Sequence, residues 1–74
     1  MNNVSPKSRV AHAVSMVHPD ANIEVRGTRV KGKMGGYFLA EVNVNGSTVS
    51  QARHRDWRTA YKSLEIEFSK HWVL

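Results

Sequence analysis

The side chains best able to do chemistry in this sequence are cations, and they come in two groups. Arg26, Arg29, Lys31 and Lys33 fall within eight residues that contain no acid, and Arg53, Arg55, Arg58 and Lys62 fall within ten that contain only Asp56. The rest of the chain, with Lys7, Arg9 and Lys70 against Asp20, Glu24, Glu41, Glu65 and Glu67, is net acidic. A net charge of +5 gathered this way creates a local potential, whereas a dispersed one only aids solubility. Guanidinium and ammonium groups in such a patch bind phosphates, and the partner expected is a nucleic acid, DNA or RNA. His54 and Tyr37 complete the expected contact set of Arg26, Arg29, Lys31, Lys33, Tyr37, Arg53, His54, Arg55, Arg58 and Lys62. His54 stands between two arginines, and Tyr37 follows a glycine pair and can stack on a base or ribose.

Other chemistries fit less well. Gly27 to Met34 nearly match a phosphate-binding nucleotide loop, with two glycines five apart and then Lys33, but Met34 stands where that loop needs a hydroxyl for magnesium. What survives is a basic, glycine-rich connection whose backbone can approach phosphates closely. The histidines His12, His18, His54 and His71 lack metal-ligand spacing, and with no cysteine in the chain neither a thiolate metal site nor a disulfide is available. His54 with Asp56 could be drawn as acid–base machinery, but between Arg53 and Arg55 the histidine reads as one more polar contact. No catalytic activity, metal or cofactor is expected.

These cations need a scaffold, and 74 residues supply one small domain with a thin core. Ser5-Pro6 reads as a helix start, and Val10, Ala13, Val14 and Val17 form an apolar stripe that ends at His18-Pro19, predicting a helix over residues 6–17. Ile23 and Val25 alternate with Glu24 and Arg26 as in a half-buried strand that can extend to Val30. From Tyr37 a second strand alternates up to Val44. Asn45-Gly46 then supplies the positive-φ pair of a tight hairpin, pairing Val44 with Ser47 and Val42 with Val49. Asp56 caps a last helix whose face carries Trp57, Tyr61, Leu64, Phe68 and Trp72, with Arg55, Arg58 and Lys62 on the opposite side. Ile66 points away from that core face.

The fold class expected is therefore α+β, in the order αβββα, with both helices on the sheet face that bears Phe38, Ala40, Val42 and Val49. The other face, with Tyr37, Leu39, Glu41, Asn43 and Thr48, stays open. The longest unbroken apolar run, Tyr37 to Ala40, is too short to span a membrane and the amino terminus does not read as a signal peptide. A soluble, unprocessed, cytoplasmic protein is the expectation.

Two resemblances attach to these motifs. The helix–strand–strand–strand–helix order, the Asn45-Gly46 hairpin and a basic segment entering the last helix resemble the double-stranded RNA-binding domain over most of the chain. That family's Gly-Pro-x-His loop is missing, and its Lys-Lys-x-Ala-Lys run is reduced to Arg58-Thr59-Ala60. The resemblance implies Arg53, Arg55, Arg58 and Lys62 as a phosphate clamp, with Arg29, Lys31 and Lys33 as a loop contact. Arg26-Gly27-Thr28-Arg29, Ala40-Glu41-Val42 and Ala60-Tyr61 are similar in order to motifs of the AP2 and integrase arm-type modules, which lay a three-stranded sheet in a DNA groove. Both imply nucleic-acid binding, but through different surfaces. The alternative function is that of a small protein of the kind phages and mobile elements make, which binds and inhibits or adapts a host protein. Ile66 and Trp72-Val73-Leu74 would form its partner or homodimer surface.

Overall fold

The computed structural model describes residues 5–70. Helix α1 (Pro6–Val17) leads into strands β1 (Ile23–Val30), β2 (Tyr37–Val44) and β3 (Ser47–His54), followed by helix α2 (Trp57–Ser69). The three strands form one antiparallel sheet in the order β1-β2-β3. The α+β class, the αβββα order, the limits of α1 and the Asp56-capped start of α2 match the expectation, while α2 ends at Ser69. Expected contacts by Trp72 to Leu74 lie outside the described residues, as does His71.

Local chemistry sets the boundaries. Ser5 caps α1 by accepting a hydrogen bond from the Ser8 N–H at 3.2 Å, with Pro6 in the first turn, where its missing N–H costs nothing. The helix stops at His18, whose own N–H still bonds to the Val14 carbonyl at 2.8 Å. Asp56 caps α2 in the same way, its carboxylate accepting from the Thr59 N–H and hydroxyl at 3.1 and 2.9 Å. The hairpin turn has Asn45 at φ 53° and Gly46 at φ 85°, the left-handed pair this turn demands. Asn45 also closes that end of the sheet. Its side-chain oxygen accepts from the Asn22 N–H at 3.0 Å, and its own N–H donates to the Asn22 carbonyl at 2.8 Å.

Both helices pack on one sheet face. Val10, Ala13 and Val14 of α1 and Ala60, Tyr61, Leu64 and Phe68 of α2 bury against Val25, Ala40 and Val42. Gly27 makes room for this packing, because a side-chain carbon there would collide with the Tyr61 hydroxyl and the Phe38 ring. Those two rings meet edge to face with centroids 5.4 Å apart, directly beneath β1. Gly27 is thus a packing glycine inside a strand, and the nucleotide-loop pattern has no loop at its start.

Two expectations about the core need correction. Val49 does not pair with Val42: a register shift next to Asn43 pairs Val42 with Ser50, leaving Val49 unpaired and 49% exposed. An unbroken register would have turned Val49, Gln51 and Arg53 towards the helices, where a guanidinium could not be solvated. The bulge instead turns Ser50, Ala52 and His54 inwards and leaves Gln51 and Arg53 in solvent. Trp57 is likewise not core. At 38% exposure it touches Tyr61 only edge to face, centroids 6.2 Å apart, because the first residue of α2 lies where the helix reaches the end of the sheet. Helical periodicity gives the direction a side chain takes around the axis, not whether a partner exists at that height.

Candidate nucleic-acid interface

Antiparallel pairing brings the end of β1, the start of β2 and the end of β3 to one rim of the sheet, where Val30 faces Tyr37 and Phe38 lies between Arg29 and His54. The β1–β2 connection, residues 31–36, leaves this rim, and α2 begins beside it after Arg55-Asp56. The two cationic groups, separated by some twenty residues in sequence, therefore meet. Their direct contact is a hydrogen bond from the Arg29 guanidinium Nη1 to the Arg55 carbonyl at 3.2 Å.

At this rim three guanidinium groups lie over aromatic rings, with no carboxylate in salt-bridge range. Arg29 lies 5.8 Å from the centroid of Phe38, Arg53 lies 5.6 Å from that of Tyr37, and Arg58 lies 5.3 Å from that of Trp57. Such contacts orient a cation without neutralising it, so its charge remains available to an anion. Arg53 and Tyr37 occupy the open face, whereas Arg29, Phe38 and Trp57 belong to the helix-covered side. Lys31 and Lys33 are exposed on the connecting loop, which folds back through a Gly35 N–H to Gly32 carbonyl bond at 3.2 Å. Met34, next to Lys33 on the same loop, is 93% exposed.

The remaining expected contacts separate into three kinds. Arg26 stands apart from the rim. It lies in mid-strand on the open face, ion-paired to Glu24 at 3.1 Å and opposite Glu41, which accepts a hydrogen bond from Gln51 at 2.9 Å. The Glu24 hydrogen bond and charge raise the Arg26 pKa, and the reciprocal interaction holds the Glu24 carboxyl below its usual range. Among the described residues no other lysine or arginine is ion-paired. His54 shares a 3.2 Å hydrogen bond between its Nε2 and the Ser63 hydroxyl, which ties the end of β3 to α2. The Asp56 carboxylate is engaged at the helix cap, so His54 and Asp56 have separate partners. Lys62 and Arg58 line a shallow groove of about 330 Å³ between the two helices, together with Pro6, Arg9, Thr59 and Glu65.

Sequence reasoning missed two residues of this surface. Arg9 extends the basic strip onto α1, but it lies far from both charge clusters in sequence and only helix packing brings it to Arg58 and Lys62. Trp57 was hidden by its place on the apolar stripe. No group of histidine, aspartate or glutamate side chains able to hold a metal forms among the described residues, and no helix among them is long and apolar enough to cross a membrane.

Comparison with protein-family models, with curated proteins and with solved structures finds no match.

Proposed function

We propose that this protein is a small non-catalytic module that binds nucleic acid, holding the phosphate backbone on the basic rim and along α2, in a cytoplasmic setting suited to a cysteine-free chain. The observation that carries this reading is the contact of Arg29 with Arg55, because it joins both cationic groups into one surface whose cations form no ion pair among the described residues, the Asp56 carboxylate beside Arg58 being engaged at the cap of α2. The amino-terminal end of α2 lies at the same surface, its N–H groups capped by the Asp56 carboxylate. Arg29, Lys31, Lys33, Arg53, Arg55, Arg58 and Lys62 are the phosphate contacts, with Arg9 at their margin. Arg26 is left out, since binding there would compete with Glu24 and Glu41.

If four to six of these cations engage duplex phosphates, the logarithm of the association constant falls against the logarithm of salt with a slope of about −4 to −5. A filter-binding titration reads this directly, and affinity independent of salt would remove the proposal. The second reading, a protein-binding inhibitor or adaptor, draws on Ile66, which is 47% exposed beside Glu65, Ser69 and Lys70. Replacing Ile66 with Lys discriminates the two: lost partner binding with nucleic-acid affinity intact favours the adaptor.

A further inference from the structure

Resting on the nucleic-acid reading, we infer that the strand bound at the rim is single-stranded, with unstacked bases received on Tyr37 and Trp57. Phosphate contacts alone need no aromatic side chains. Yet this rim carries two rings that the core does not use: Tyr37 is absent from the buried cluster and its satellites, and Trp57 reaches that cluster only by an edge contact to Tyr61. Phe38, on the neighbouring position of β2, is the contrast, since it packs against the core and meets Tyr61 at 5.4 Å.

Each ring has a guanidinium over it, Arg53 over the half-buried Tyr37 and Arg58 over Trp57. A guanidinium over a ring presents its own outer plane to a base as well as the uncovered part of the ring, and its charge to the phosphate. In a duplex the base faces are already covered by their neighbours, so these surfaces would have nothing to contact. A single strand can turn its bases outwards at no unpairing cost. Tyr37 stands on the open face of the rim and Trp57 at the start of α2, and Arg29 links the end of β1 to the Arg55 carbonyl just before that helix, so both rings and the cations share one end of the molecule.

The test uses one fluorescently labelled oligonucleotide of about 12 nucleotides, a length within known single-strand site sizes, free and annealed to its complement, in deoxy and ribo forms. At about 100 mM salt the full chain should bind at least one free strand roughly tenfold or more tightly than the matching duplex, and the stronger of the two arms names the sugar. Tyr37→Ala and Trp57→Ala should each weaken strand binding roughly tenfold while changing duplex binding less than about twofold. Tyr37→Phe and Trp57→Phe keep a ring and should restore strand binding, which separates loss of stacking from loss of folding. In a Trp72→Phe background, the remaining tryptophan fluorescence should be quenched as the strand saturates. Duplex binding equal to or tighter than strand binding, or alanine variants with unchanged strand affinity, would overturn the single-strand inference and leave the nucleic-acid reading standing. Failure of both strand and duplex to bind at low salt would overturn both.

Discussion

The two ends of the sheet treat their polar side chains in opposite ways. Towards the hairpin turn, nearly every polar group has a protein partner: Asn45 with Asn22, Thr48 with Asn43 at 2.7 Å, Gln51 with Glu41, Arg26 with Glu24. At the opposite rim the cations rest on aromatic rings and on a backbone carbonyl, and among the described residues none of them is ion-paired. Partnered groups at the first end fix register and turn geometry. The second end keeps its charge for something outside the molecule, and exposed ion pairs would have contributed little stability there in any case.

The largest test of this contrast is reversal of Arg55, Arg58 and Lys62 to Glu. Nucleic-acid affinity should fall about a hundredfold or more, roughly equally for every sequence, with the salt slope flattened by about three. Filter binding across a salt series measures both, and an unchanged affinity would place the functional surface elsewhere. Next in size is Gly27→Ala, which alters the packing under the sheet and no charge. Its methyl group meets the Tyr61 hydroxyl and the Phe38 ring, and overpacking of this kind costs about 1–3 kcal/mol, visible as a lower thermal midpoint.

Two pH effects should be smaller. The Thr59 hydroxyl, opposed by desolvation and aided by the Thr59 and Arg58 N–H groups and the Arg58 charge, holds the Asp56 carboxyl below its usual range. A lowered folded pKa means that this contribution is present above the ordinary carboxylate range and lost as acid protonates the cap. Burial pushes the Tyr61 phenol up, so its neutral form is favoured in the fold and stability should decline as pH rises beyond the ordinary phenol value of 10.0. Thermal melts across pH should show Asp56→Asn blunting the acid limb and Tyr61→Phe blunting the alkaline one. The smallest effect expected is Arg26→Gln, with affinity within about twofold of the parent, because that charge is already compensated by Glu24. A loss as large as at Arg55 would bring the middle of the open face into the interface and erase the contrast between the two ends.

Much of the fold was legible because its signals are local. Ser5-Pro6, His18-Pro19, Asn45-Gly46 and Asp56 each fix a boundary through the geometry of a few adjacent residues. Errors arose wherever a residue's fate depended on another element. Val49 alternates correctly with its neighbours, yet the bulge that expels it answers to the charge of Arg53 further along the strand. Trp57 has the right helical spacing, but it stays outside the core cluster and meets it only through the edge of Tyr61.

The sequence by itself determined the order of the elements, their limits and the grouping of positive charge, since these follow from backbone preferences and side-chain types at short range. Only the tertiary structure decided which charges act together. Strand pairing set Arg26 against two carboxylates while it carried Arg29, three residues further along β1, to Arg55, and helix packing added Arg9. Electrostatic interaction depends on distance through space, and spacing along the chain does not reveal that distance until the chain has folded.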